Sequence, residues 1–303
     1  MTVSDEELDR AAAIIKRGGL VAFPTETVYG LGANALDRDA VARIFAVKGR
    51  PLASPLIVHV ADQAMARTLT KEWPELAQTL AARFWPGPLT LVLKKAPVVP
   101  EIVTAGLDSV GIRVPSHPVA LELIRRAGVP IAAPSANRFT QISPTTAAHV
   151  RATLADEIDM LIDGGPTQVG IESTVASLHK ERPVVLRPGM ISQQELEEAT
   201  GLEWSKAAET PSVMESPGQH ARHYSPRTPL FVFKTRWATP PGRGLILNLP
   251  QDRDAYAARL YAELHAADKE GWDWIGIVEP PDRPEWEGIR DRLRRASAGL
   301  DPL

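Results

Sequence analysis

The chain has 303 residues, 44% of them hydrophobic and 23% charged, with a formal net charge of −3. That balance is ordinary for a globular protein of one large or two smaller domains, and it excludes a chain-wide polyanion binder, so a nucleotide site has to rest on a local cluster of cations. No cysteine is present, which excludes disulfides, thiolate metal sites and a cysteine nucleophile and leads us to expect a cytoplasmic protein.

At the N-terminus, Ser4 and Glu7 have the spacing of a capping box, and the acidic, polar start does not read as a targeting peptide. Leu8, Ala11, Ile14 and Ile15 follow at helical spacing until Gly18-Gly19, and the apolar run Leu20–Phe23 reads as a buried strand stopped by Pro24. Helices are predicted at Ala40–Val47, Pro74–Phe84, Pro118–Arg126, Thr145–Leu154 and Gln193–Thr200. Strands are predicted at Leu56–Val60, Leu89–Leu93, Val110–Val114, Pro130–Ala133, Met160–Ile162, Thr174–Leu178 and Val184–Leu186. Several strands follow one another without a helix, which favours a mixed α/β sheet over a doubly wound one.

Residues 204–228 are polar, rich in Pro, Ser and Gly, and without a period, as expected of a linker between a first domain at 1–203 and a second at 229–303. Strands at Leu230–Phe233, Leu245–Leu249 and Trp274–Val278, with helices near Ala255–Ala267 and Glu285–Ala298, make the second domain a small α/β unit. A core so small is expected to lean on the first domain or on a partner.

Polar groups gather at Pro24–Gly30, Lys48–Pro51, Gly111–Pro115, Ala133–Asn137 and Leu186–Gly189, beside strand ends where α/β proteins place ligands. None of these is a P-loop, a dinucleotide fingerprint or a zinc motif. Singly, each has a plain structural explanation. Thr27 suits a turn, Lys48 and Arg50 suit a helix C-terminus, and Ser135 and Asn137 suit caps. Arg113 is harder to dismiss. It interrupts an apolar strand, and its planar fork suits a carboxylate in a way lysine does not. Arg187 repeats the arrangement at the end of its strand. His59, inside an apolar run, reads alone as a satisfied core histidine.

The motifs PTETVYGLG, KGRPxxxPLIVH, WPGPLT, APSANR and ESTV, in this order over about residues 8–200, resemble those of the YrdC-like threonylcarbamoyl-AMP synthases. Ser216-Pro217-Gly218 through His223-Tyr224-Ser225-Pro226 resembles the linker of the longer, two-domain branch. The resemblance implies a YrdC-like domain with a twisted mixed sheet, followed by a small α/β domain. It implies conversion of L-threonine, bicarbonate and ATP to threonylcarbamoyl-AMP and pyrophosphate, for the threonylcarbamoyl modification of tRNA. By position, Thr27, His59, Arg113, Ala133 and Ser173 would hold threonine. Arg50, Ser54, Ser109, Ser135, Ser143, Arg187 and Tyr224 would hold ATP, with Lys48 and Asn137 completing the phosphate pocket. Lys48, Arg50, Ser135 and Asn137 would be the catalytic group. A magnesium ion would be bound through phosphate oxygens and water. The implied partners are the downstream tRNA threonylcarbamoyl-transferase machinery and, weakly, tRNA itself. The chain departs from the family in carrying Ser54 where members often have Asn, and Thr140 where they often have Gly. An RNA-binding module and a carbamoyl-transfer relative with another acceptor are the alternatives. The lack of a basic excess and 6% aromatics weigh against the first, and the absence of cysteines and accessory segments against the second.

Overall fold

The computed structural model describes residues 3–207, 215–218, 222–234 and 240–298. The first domain runs α1 (Asp5–Lys16), β1 (Val21–Pro24), β2 (Tyr29–Asn34), α2 (Arg38–Lys48), β3 (Ile57–His59), α3 (Gln63–Thr68), α4 (Glu75–Phe84), β4 (Leu89–Lys94), α5 (Glu101–Thr104), β5 (Ser109–Arg113), α6 (Pro118–Ala127) and β6 (Ile131–Ala132). It continues through α7 (Ala147–Leu154), β7 (Met160–Leu161), β8 (Thr174–Ser177), β9 (Val184–Arg187), α8 (Gln193–Thr200) and β10 (Ser205–Lys206). The second comprises β11 (Leu230–Phe233), β12 (Gly244–Leu247), α9 (Arg253–Ala267), β13 (Trp274–Val278) and α10 (Glu287–Ala296).

Local chemistry fixes the helix ends. Ser4 accepts from the Glu7 amide at 3.2 Å, starting α1, while a full reciprocal capping box is formed by Ser192 and Glu195 before α8. Leu8, Ala11 and Ile15 of α1 are buried, as their spacing predicts. The strand β2 was not legible in the sequence, because Tyr-Gly-Leu-Gly-Ala-Asn looks like loop. Its glycines are needed for close packing: a Cβ at Gly32 would lie 2.6 Å from the Phe23 ring and 2.7 Å from Ile131.

The first domain is one mixed sheet of ten strands in the order β10-β9-β8-β4-β5-β3-β6-β2-β1-β7. Strand β3 runs parallel to β5, with His59 opposite Arg113. Strand β5 is antiparallel to β4, β4 is parallel to β8, and β8 is antiparallel to β9. The C-terminal ends of β3, β5 and β9 therefore share one sheet edge with the N-terminal ends of β4 and β8. His59, Arg113, Arg187 and Ser173 are brought to that edge by topology alone.

The second domain is a parallel three-stranded sheet, β11-β13-β12, closed by α9 and α10. It docks directly on the first. Val28, Ile142 and Ile171 share a core cluster with Tyr256, Leu260, Tyr261, Leu264 and Leu293. The approach is close. A Cβ at Gly288 of α10 would sit 2.5 Å from the Gly189 carbonyl oxygen, and one at Gly170 would sit 2.2 Å from that of Ala257.

The linker reading of 204–228 needs two corrections. Ser205–Lys206 is an edge strand paired with β9, invisible to periodicity because it is two residues long and polar. Tyr224, expected to reach the nucleotide, also has a core role. It is buried among Tyr261 and the rest of the second core. The parts of the linker at 208–214 and 219–221 lie outside the described residues.

Where this segment docks, the Ser225 amide donates to the Thr140 carbonyl at 2.9 Å, and Thr140 itself has φ 69°. A β-branched residue in the left-handed region is strained by about 1–2 kcal/mol, and glycine returns about 0.5–1 of that as unfolded-state entropy. Thr140→Gly is accordingly expected to stabilise the protein by up to about 1 kcal/mol. A lowered denaturation midpoint in urea would contradict it.

Candidate active site

A cavity at this sheet edge is lined by Thr27, Arg50, His59, Arg113, Ala133, Ser135, Glu172, Ser173, Arg187, Pro217, His223 and Tyr224, among others. All five residues expected to hold threonine line it. So do Arg50, Ser135, Arg187 and Tyr224 of the set expected to hold ATP.

Arg113 is fixed on three sides. Its Nε donates to the Gly87 carbonyl at 3.2 Å and Nη1 to Thr27 Oγ1 at 3.0 Å, while Nη2 lies 2.7 Å from Glu26 Oε1. Both members of the ion pair are buried. Burial pushes the Glu26 carboxyl up, but the Arg113 charge and hydrogen bond outweigh it and hold the pKa below its usual value. Thr27 is placed by Thr25, whose hydroxyl also donates to the Val28 carbonyl at 2.7 Å. His59 is buried next to Arg113. Burial first, then the arginine charge, lower its pKa to about 3, so the ring is neutral at physiological pH. Its Nδ1 has no hydrogen-bond partner among the described residues.

The side of the cavity lined by Arg50 and Arg187 is cationic. Arg187 holds the Ser173 carbonyl with Nε and Nη2 at 3.1 and 3.0 Å, and reaches the linker through the Pro217 carbonyl at 3.1 Å. Ser173 Oγ is in turn 2.8 Å from Thr90 Oγ1. Arg50 donates to Ser54 Oγ at 2.6 Å and to the Pro55 carbonyl at 3.0 Å. Burial lowers its pKa to about 10, which leaves it charged. Tyr224, with φ 60°, puts its hydroxyl where a Cβ on Gly218 would fall, 2.1 Å away. Glycine at 218 is thus required both by its own φ of 83° and by that approach.

Five expected site residues do not line the cavity. Lys48 is buried with Nζ donating to the carbonyls of Ser135 and Asn137. Burial, then Arg50 and Arg138, push its pKa well down. Asn137 is spent on the carbonyls of Arg138 and Gln141, both at 2.8 Å. These two side chains shape the Ser135 loop from behind. Ser54 sits under Arg50. Ser143 donates its hydroxyl to Glu172 Oε1. Ser109 is at the opposite end of β5 from Arg113, in a separate crevice beside Ser216 and Pro217.

The sequence reading missed Glu26, Glu172, the Gly87 carbonyl and Arg292 of α10. Glu26 and Glu172 stand inside the quoted motifs, between or beside Thr and Ser, so the motifs themselves were the available signal. Arg292 had none, since nothing in the sequence of its helix sets it apart from the neighbouring Arg290, Arg294 and Arg295.

Residues 13–189 match the family model described as Telomere recombination, covering Sua5, YciO and YrdC proteins. Residues 191–298 match the C-terminal domain of threonylcarbamoyl-AMP synthase. The threonylcarbamoyl-AMP synthase of Pyrococcus abyssi is 50% identical over 228 residues, spanning 73% of this chain and 66% of that relative. That of Bacillus subtilis is 48% identical over 329 residues, spanning 99% of this chain and 95% of the relative. The crystal structure of P. abyssi Sua5 complexed with L-threonine superposes with a TM-score of 0.92 at 39% identity, covering 98% of this chain and 96% of that one. The chain belongs to the Sua5–YciO–YrdC family, in the two-domain branch that carries the C-terminal domain of the threonylcarbamoyl-AMP synthases.

Proposed function

We propose that this protein is an L-threonylcarbamoyladenylate synthase, a nucleotidyltransferase that converts L-threonine, bicarbonate and ATP to threonylcarbamoyl-AMP and pyrophosphate. The observation that carries this reading is the meeting of Thr27, His59, Arg113, Ala133 and Ser173 in one cavity with Arg50, Ser135 and Arg187. In this reading an amino-acid pocket adjoins the groups that would face a triphosphate.

In this reaction the threonine amine takes up the bicarbonate carbon as a carbamate, with loss of water. A carbamate oxygen attacks the α-phosphorus of ATP, the bond to the β-phosphate bridge breaks, and pyrophosphate leaves with the electron pair. No nucleophilic side chain is needed. The work is positioning and stabilisation of spread negative charge, which suits a set of Arg, Ser and Thr groups. Arg113 holds the threonine carboxylate with the guanidinium hydrogens left over from Gly87, Thr27 and Glu26. Neutral His59 and Ser173 offer hydrogen bonds to the rest of the amino acid. Arg50 and Arg187 face the phosphates, and Lys48 and Asn137 fix the Ser135 loop. Tyr224, with Pro217 and His223 of the linker, covers the site and helps exclude water from the labile carbamate. A magnesium ion delivered with the nucleotide would be held by phosphate oxygens and water rather than by these side chains. The product would be consumed by the tRNA threonylcarbamoyl-transfer machinery.

The test is pyrophosphate release with threonine or bicarbonate left out in turn. Release that depends on both, with threonylcarbamoyl-AMP detected by mass, is the expected result. Release indifferent to threonine would overturn the reading. A gel shift with tRNA in place of turnover would favour the RNA-binding alternative.

A further inference from the structure

Arg292, on α10 of the second domain, is fully buried, yet its partners belong mostly to the first domain. Its Nε donates to Glu172 Oε2 at 2.7 Å, Nη2 to the Glu172 carbonyl at 3.2 Å, and Nη1 to the Pro188 carbonyl at 2.9 Å. Asp291 completes its shell at 2.9 Å. From α9, Tyr261 donates to the same Glu172 oxygen at 3.1 Å. The other Glu172 oxygen takes the Ser143 hydroxyl, and His265 Nε2 stands 3.1 Å from the Ser143 carbonyl. The second domain thus grips Glu172 and Ser143 with three side chains.

Glu172 is the one carboxylate among the residues lining the active-site cavity, where Arg50, Arg113 and Arg187 supply the positive charge. A carboxylate in a desolvated pocket repels a triphosphate strongly unless something neutralises it. Domain docking does not need the pair, because the shared apolar cluster and the Gly288–Gly189 contact already bury the interface. A buried ion pair is in any case a poor way to hold two domains together compared with apolar contact. Its place beside the cavity is what distinguishes it.

We propose that Arg292 is a positioning residue of the active site, which neutralises Glu172 and fixes it against Ser143, so that the second domain completes the ATP pocket without touching ATP. The proposal rests on the synthase reading for the identity of the ligand. Its test uses binding rather than turnover, so the two can fail separately.

The experiment is calorimetric titration of the full chain with magnesium–ATP and, separately, with L-threonine. Arg292→Met is expected to weaken ATP binding at least tenfold and to leave threonine affinity within about threefold, since removal of a partner leaves a buried charge unpaired. Adding Glu172→Gln to that variant removes the stranded charge and is expected to restore most of the ATP affinity. A merely structural role would weaken threonine and ATP binding together, so the rescue supports the proposal when threonine affinity stays near the parent's throughout. Arg292→Lys, which keeps the charge, guards against misfolding of the methionine variant and is expected to bind ATP within about threefold of the parent. Parental ATP affinity in Arg292→Met, or a double variant as weak as the single one, overturns the proposal. So does a lysine variant as defective as methionine. Failure of the parent protein to bind ATP at all would instead count against the synthase reading.

Discussion

Arg113→Ala is expected to raise the threonine dissociation constant by about 30-fold to several thousand-fold, equivalent to about 2–5 kcal/mol for a desolvated charge-assisted contact, while ATP binding is spared. The range is wide because the arginine has two roles. It offers its remaining hydrogens to the cavity, and it is the buried counter-charge of Glu26 at 2.7 Å. Removing it leaves that carboxylate unpaired, which by itself destabilises a fold by about 3–5 kcal/mol. A drop in threonine affinity could then reflect a damaged pocket rather than a lost clamp. The double variant Glu26→Gln/Arg113→Met separates the two. With both charges gone, the melting temperature should return towards that of the parent, and threonine binding should stay lost. Calorimetry with threonine and with ATP, alongside thermal unfolding, reads all three quantities. If threonine binds the double variant as it binds the parent, Arg113 is a structural partner of Glu26 and the clamp is wrong.

The sequence made Arg113 conspicuous because an arginine in an apolar strand has to be explained. Its register partner His59 was conspicuous for the same reason, and the parallel pairing of β3 with β5 sets them side by side. Most elements were legible because their periodicity is strong, as in α6, with Ala120, Leu123, Ile124 and Ala127 buried on one face. Strand β2 was not, since its glycines serve Phe23 and carry no apolar pattern of their own. The division of labour inside the site was also hidden. Lys48 reads as an exposed cation at a helix end, and only the fold shows it turned inwards onto two carbonyls. Glu172 and Arg292 lie 120 residues apart, and nothing local in either marks the other as its partner. Long-range pairing of buried charges is what a reading by local pattern cannot reach.

Acidification from pH 7 to pH 5 should destabilise the protein steeply, with the domain interface giving way early. His149 of α7 stacks on His265 of α9 across that interface, with ring centroids 3.9 Å apart and planes tilted by 21°. Burial first, then the neighbouring His265 and Lys269 charges, lower the His149 pKa to about 3. Burial and Lys269 lower His265 to about 4, against the Ser143 carbonyl and Asp268, which pull it up. His59 is lowered to about 3. For each ring the unfolded chain, titrating near pH 6.5, binds the proton more readily than the folded one. Stability therefore falls as pH drops below about 6.5 and keeps falling until the folded value is reached. For the fully buried His59 this amounts to about 1.4 kcal/mol per pH unit, or about 2 kcal/mol at pH 5. The stacked pair adds mutual repulsion where both rings are charged. The buried carboxylates contribute in a lower window. Glu26, Glu172 and Asp291 have depressed pKa values, so their stabilisation stands above the unfolded values near 4 and is lost only below them. At pH 5 the histidines act without them. Urea unfolding at pH 7, 6 and 5 measures the slope, and His265→Phe, which keeps a stacked ring without a titrating nitrogen, isolates the interface. The variant should lose less stability than the parent between pH 7 and 5, and proteolysis between the domains at pH 5 should slow with it. A midpoint that does not move over this range would refute the prediction. A variant that falls as steeply as the parent would place the effect on His59 and the other histidines with lowered pKa values, His117, His149 and His179, and leave His265 without a part in it.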